Sequence, residues 1–169
     1  KKTLWEAVAY FASCCAERLR AQNSAAMVVS VYVRGDEHKE REPFYSNTCD
    51  IRLETPSCDT AYITQHALRA FNNIYRKGYK YKKAGVQLSH FVQNGEIQLN
   101  VFDNVDVDKQ KRLMSALDKI NGVCGKGTLI LGAQGVDKKW SPRKDHTAKQ
   151  SSVLRIYSGM SFLDLGNKK

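Results

Sequence analysis

The chain has 169 residues, 42% of them hydrophobic, with a formal charge of +10 at pH 7, enough for one ordinary core or two small ones. No apolar run approaches the ~20 residues needed to span a bilayer, and the lysine-led start lacks the apolar stretch of a signal peptide, so a cytoplasmic protein is expected. The cationic surplus favours a polyanionic partner, either nucleic acid or an anionic membrane surface, although a basic soluble protein without such a partner has the same composition.

Thr3 and Glu6 have capping-box spacing, and Leu4, Val8, Phe11, Cys15 and Leu19 recur on one helical face, which predicts a helix from Leu4 to Ala21. Its polar side carries only Arg18 and Arg20, too few cations for a membrane-surface helix. From Met27 to Arg34 the pattern alternates. Val29, Val31 and Val33 point one way, and Ser30, Tyr32 and Arg34 the other, as in a half-buried strand. Gly35 to Asn47 reads as an exposed loop. In a second strand, Cys49, Ile51 and Leu53 face inward, with Thr48, Asp50, Arg52 and Glu54 outside. Asp59 has the position of an N-cap for a helix bearing Ile63, Ala67, Ala70 and Ile74 and closing near Gly78.

The basic run Tyr79-Lys80-Tyr81-Lys82-Lys83 leads into a third strand, in which Ala84, Val86 and Leu88 share a face. Asn94-Gly95 signals a hairpin whose partner strand starts near Ile97. Helices covering one face of a largely antiparallel sheet give an α+β fold whose other face is open. Beyond a boundary placed near Asn104, a small αβ subdomain follows. A helix from Asp108 to Ile120 has Leu113, Leu117 and Ile120 on one side, and Thr128 to Leu131 is strand-like. The basic, serine-rich tail after Trp140 has little periodicity.

No catalytic constellation emerges. Asp103, Asp106 and Asp108 fall at a strand-to-helix junction, where acids cap helices more often than they hold metal. His38, His66, His90 and His146 have no metal-binding spacing, no serine lies in G-x-S-x-G, and the glycines from Gly122 to Gly135 lack the ending of a phosphate loop. The five cysteines are scattered and odd in number, as expected of reduced, mostly buried thiols.

Basic residues carry more information. Arg34 and Arg52 project from the solvent side of adjacent predicted strands, and Lys80, Lys82 and Lys83 lead into the third. Such a ladder can track phosphates. A solvated charged face accounts for it equally well, and Asp50 and Glu54 interrupt the positive surface. Gln98-Leu99-Asn100-Val101-Phe102, before an acidic turn, has the form of an extended docking peptide, with the glutamine for hydrogen bonds and the leucine and phenylalanine as anchors. An ordinary edge strand has the same pattern.

Several segments in order resemble one family. Tyr81-Lys82-Lys83-Ala84-Gly85-Val86-Gln87-Leu88 and Gln98-Leu99-Asn100-Val101-Phe102-Asp103 are similar to the little-finger region of UmuC-type error-prone Y-family polymerases, the polymerase subunit of bacterial DNA polymerase V. Leu4-Trp5-Glu6-Ala7-Val8 and Ala16-Glu17-Arg18-Leu19-Arg20 resemble its first helix, and Leu53-Glu54-Thr55-Pro56 with Asp59-Thr60 the lead into its second. Leu113-Met114, Leu117-Asp118, Ile120-Asn121 and Gly125-Lys126-Gly127-Thr128-Leu129 resemble the extra C-terminal segment of that family.

The resemblance implies a sheet backed by two helices that lays its open face on primer-template DNA, with Arg34, Arg52, Lys80, Lys82 and Lys83 as DNA-binding candidates. It also implies a sliding-clamp peptide at Gln98, Leu99, Val101 and Phe102, where valine replaces the usual leucine at Val101 and weakens docking. Contacts of the C-terminal segment with the UmuD' subunit and the RecA filament are implied in the same way. The family's opening strand and its metal-binding palm have no counterpart here, so the chain itself is expected to be inactive and to hold no cofactor; magnesium belongs to the parent polymerase. The alternative is a free-standing truncated homologue acting as a non-catalytic adaptor for clamp or DNA. Residues 147–169 depart from the family pattern.

Overall fold

The computed structural model describes residues 1–38, 43–93, 107–135, 142–143 and 162–163. The elements in chain order are α1 (Lys2–Ala21), β1 (Ser24–Arg34), β2 (Ser46–Ser57), α2 (Thr60–Ile74), β3 (Lys83–Gln93) and α3 (Val107–Val123). A short 3-10 turn (Gly132–Gln134) and two dipeptide strands, β4 (Pro142–Arg143) and β5 (Phe162–Leu163), follow.

β1 is the central strand of an antiparallel sheet of order β2-β1-β3. Its valines alternate as expected: Val29 pairs with Ile51 and Leu88, and Val31 with Cys49 and Val86, all on the side that the helices cover. The β1–β2 register breaks between Ala26 and Val28, where Val28 faces Arg52 but Ala26 faces Ser57. This irregularity spans Thr55-Pro56, and proline donates no hydrogen bond to a ladder. The hairpin partner expected from Ile97 lies outside the described residues, and so does the domain boundary near Asn104.

α1 and α2 lie together on the covered face. Leu4, Val8, Phe11, Cys15 and Leu19 are buried with Ile63, Ala67, Ala70, Phe71 and Ile74 of α2 and the inward residues of the sheet. Each large side chain withdrawn from water contributes roughly 1.5–3 kcal/mol. Small residues Ala7, Ala12 and Ala16 are completely buried, which lets α1 approach its neighbours closely, and Trp5 meets Phe71 edge-on.

The termini of these helices show which local signals decide. The Asp59 carboxylate accepts from the Tyr62 amide at 2.7 Å, the expected N-cap of α2. That helix ends at Tyr75, before Gly78. The capping box read at Thr3 and Glu6 is not used: α1 starts two residues earlier, with Lys1 as N-cap and no side-chain cap bond. Glu6 is instead almost buried and its carboxyl lies under Gly135, where an added Cβ would come within 2.7 Å of it.

That contact belongs to a second buried stripe on α1, formed by Glu6, Ala9, Ser13, Ala16 and Arg20, residues spaced three and four apart. The segment following α3 covers much of it. Gln134 is buried and donates to the Ser13 hydroxyl at 2.9 Å, and Ser13 donates onward to the Ala9 carbonyl at 3.0 Å.

At the end of the stripe stands Arg20, whose side chain is only 11% exposed. Its guanidinium holds Asp118 of α3 through two 2.7 Å bonds, and its remaining arm donates to the Cys58 carbonyl and the Thr60 hydroxyl at the start of α2. Arg20 therefore lies on a buried face, not on the polar side facing water. Met114, also buried, rests its sulfur on the Thr60 amide.

α3 accordingly meets the rest of the fold through Met114 and Asp118, with Leu117 half-buried, whereas Leu113 and Ile120 of the expected apolar side are exposed. No strand forms over Thr128–Leu131. The Asn121 side chain holds the Leu129 amide and carbonyl at 2.8 and 2.9 Å, and Thr128 bonds back to Cys124 and Gly125, so this backbone is engaged locally. The thiols are free, but of the five only Cys15 is fully buried; Cys124 is exposed because its helix end faces solvent.

Arg20→Ala should lower the unfolding free energy by about 3 kcal/mol, since it leaves Asp118, the Cys58 carbonyl and the Thr60 hydroxyl without their donor. Asp118→Ala should cost less, about 1–2 kcal/mol, because Asp118 is partly solvated. Urea denaturation measures both, and hydrogen exchange should accelerate first in α3.

Candidate nucleic-acid interface

With both helices on one side, the other face of the sheet presents cross-strand rows. Ser46, Arg34 and Lys83 form one; Thr48, Tyr32 and Gly85 the next; then come Asp50, Ser30 and Gln87, and finally Arg52, Val28 and Ser89. The β-period places these residues together on the outer face. The same register puts Arg34 directly opposite Lys83. Two cations at facing positions of an antiparallel pair repel, at a cost of some tenths of a kcal/mol to ~1 kcal/mol.

The basic run before β3 reaches this corner because its tyrosines are anchored. Tyr81 is buried; its hydroxyl donates to the Arg76 carbonyl and accepts from the Arg76 amide, both at 2.8 Å. Tyr79 and Tyr81 pack on Tyr45, whose own hydroxyl donates to the end of α2 at the Ile74 carbonyl. Residues 79–82 precede β3 without strand pairing; Lys80 is exposed and Lys82 half-buried. The Lys82 amide donates to the Arg34 carbonyl at 2.8 Å, and the Lys80 carbonyl lies against Gly35, where an added Cβ would meet it at 3.3 Å.

Four of the five cationic candidates, Arg34, Lys80, Lys82 and Lys83, are thus gathered at one corner. Arg52 is not among them. It pairs with Val28, six positions from Arg34 along β1, a separation of roughly 20 Å at the rise of an antiparallel strand. Asp50 lies between them on the same face of β2, so the positive surface is a corner with an outlying arginine, not a continuous ladder.

Two acids from the loop after β1 restrain this corner. Glu37 forms an ion pair with Arg34, and Asp36 accepts from Lys82 at 2.9 Å. The Lys82 hydrogen bond, aided by the His38 amide, holds the Asp36 carboxyl below its ordinary range. A carboxyl lower in the folded chain than in the unfolded one stabilises above the ordinary carboxylate range, and that contribution is lost as pH falls through the depressed value. Sequence reading missed this brace. The signal was present in Arg34-Gly35-Asp36-Glu37, two acids immediately after a strand ending in arginine.

Tyr32 is the other residue whose placement was not foreseen. Its ring lies over Gly85, such that a Cβ there would come within 2.5 Å of the ring edge and hydroxyl. Glycine leaves a flat site in the strand and the tyrosine covers it, and burial pushes the Tyr32 hydroxyl above its ordinary pKa. The centre of the open face is therefore aromatic and the corner beside it cationic.

Gln98, Leu99, Val101 and Phe102 lie outside the described residues, as do the side chains of Asp103, Asp106 and Asp108. Among the described residues, no three His, Cys, Asp or Glu side chains converge on a possible cation site, and no helix is long and apolar enough to cross a membrane.

Gly85→Ala should displace the Tyr32 ring and destabilise the chain by about 1–2 kcal/mol. In a Tyr32→Ser background the same change should cost little, and a double-mutant cycle by urea unfolding measures the coupling.

Residues 1–101 match the C-terminal domain of the impB/mucB/samB family, and residues 111–151 match a domain of unknown function, DUF4113. The chain is 34% identical to Protein UmuC of Salmonella typhimurium over 157 residues, covering 89% of the chain and 37% of that protein. It is also 34% identical to Protein ImpB of Salmonella typhimurium, covering 86% and 34%, and to Protein MucB of Escherichia coli, covering 88% and 36%. The chain spans little more than a third of the length of these relatives. A helix-backed antiparallel sheet and a matching C-terminal segment, in that order, place the chain in the impB/mucB/samB family as a UmuC-type C-terminal region.

Proposed function

We propose that this region grips primer-template DNA for an error-prone Y-family polymerase acting in SOS DNA repair and mutagenesis, and links that enzyme to its sliding clamp. The observation that carries the reading is the like-charged pair Arg34 and Lys83 on the outer face of the sheet, with Lys82 and Lys80 meeting the same end of β1. Charges that repel one another in the free protein gain when a phosphate backbone is laid across them, because each neutralised phosphate also releases condensed counterions.

Tyr32 and Gly85 suit the same task. A flat aromatic site between flanking cations lets a sugar-phosphate strand approach the sheet closely, and this recognition is independent of base sequence. The family membership supports the rest. Gln98, Leu99, Val101 and Phe102 are the proposed clamp peptide, five positions beyond the end of β3, and the C-terminal segment is the proposed contact for the UmuD' subunit and the RecA filament. Phosphoryl transfer and its magnesium ions belong, on this reading, to a catalytic region elsewhere in the longer protein.

Arg34→Ala with Lys83→Ala should weaken primer-template binding at least about tenfold and reduce the dependence of log affinity on log salt by roughly two. Asp36→Asn should act in the opposite direction, strengthening binding about two- to threefold by releasing Lys82. Fluorescence anisotropy across a salt series measures both. Leu99→Ala with Phe102→Ala should abolish capture by the bacterial sliding clamp while leaving DNA affinity unchanged. If the corner variants bind DNA as the parent chain does, the sheet face is not the interface.

A further inference from the structure

α3 has two faces of different character. One reaches α1 and the start of α2 through Asp118 and Met114, with Leu117 half-buried and Asn121 holding Leu129 of the following segment. The other bears Leu113, Ala116, Ile120 and Val123, spaced three, four and three apart, the a/d spacing of a helix-pairing seam. Leu113 is 60% exposed, Ile120 40% and Val123 87%. Isolated exposed apolar residues are ordinary, but four in register along more than two turns of one helix form a stripe.

Charge along the stripe identifies its occupant. Arg112 and Lys119 lie seven residues apart along one edge, and Lys109 and Lys111 precede them. Asp118, the only acid within α3 beyond its first turn, is turned inward onto Arg20. A second copy of α3 would bring cation against cation at these flanks. A broad lipid surface would engage a wider apolar face than this narrow seam, whose neighbouring residues are already packed into the protein. An acidic amphipathic helix would bury the apolar seam and offset the flanking charge together.

We propose that the exposed face of α3 is a docking seam for an acidic amphipathic helix of a partner protein, with Leu113, Ile120 and Val123 as anchors and Lys119 as a flanking charge. This site is separate from the sheet corner; it rests on the reading of the C-terminal segment as a protein contact and narrows that contact to one helix face. The Arg20 pair, by holding Asp118 inward, keeps the seam free of negative charge and fixes its orientation relative to the sheet.

The test uses the full 169-residue chain and a fluorescent three-heptad peptide with leucine at a and d and glutamate at e and g. A counterpart with lysine at e and g is the control. Saturable binding of the acidic peptide alone is expected. It should weaken at least about tenfold in Leu113→Ser with Ile120→Ser, and about threefold in Lys119→Glu. These residues are exposed, so circular dichroism should match the parent chain. Equal binding of the two peptides, or indifference to the seam variants, would overturn the proposal. So would concentration-dependent dimerisation abolished by Leu113→Ser with Ile120→Ser, which would make a second copy the occupant. Seam-dependent capture by phosphatidylserine vesicles without peptide binding would assign the stripe to a membrane surface and equally overturn it.

Discussion

The Arg20 guanidinium is bonded on three sides, and much of the molecule's arrangement follows from that. Two of its nitrogens grip Asp118, and the third reaches the Cys58 carbonyl and the Thr60 hydroxyl. The end of α1, the beginning of α2 and the middle of α3 therefore meet at one planar cation. A guanidinium suits this place because its donors diverge in a fixed fork and its charge does not titrate, whereas a lysine could not hold a carboxylate with two parallel bonds. Such a buried cation is costly to desolvate, so the pair contributes orientation more securely than net stability.

Fixing α3 in this way has a consequence on the other side of the protein. The segment after α3 comes back over α1 through Gln134 and Gly135, so α1 is covered on a second side. Among the described residues, the outer face of the sheet carries no helix. Its electrostatics are uneven: cations gather where Arg34 meets Lys83, Asp36 and Glu37 partly offset them, and Arg52 stands apart beyond Asp50. A surface braced by its own acids keeps long side chains ordered when no polyanion is present. The same brace sets the effective charge that a polyanion encounters.

Much of the architecture was legible in the sequence because its signals are local. Val29, Val31 and Val33 alternate with polar residues, so the inner face of β1 could be read without knowing its partners. Asp59 begins α2 because its carboxylate needs only an amide three residues away. The family resemblance, spread over separate segments, likewise survived comparison with known proteins.

What only the tertiary structure decided involves residues whose partners are distant in the chain. Thr3 and Glu6 had the spacing of a capping box, yet Glu6 is drawn to Gly135. Arg20 looked like a solvated polar residue of an amphipathic helix, because its partner Asp118 lies 98 positions away and no period announces such a pair. Leu113 and Ile120 had the spacing of a core stripe. Of that side only Leu117 is even half-buried, and burial went instead to Met114, beside the Asp118 that Arg20 holds inward. Spacing records which residues share a face of an element; which face is turned inward depends on contacts formed after the elements meet.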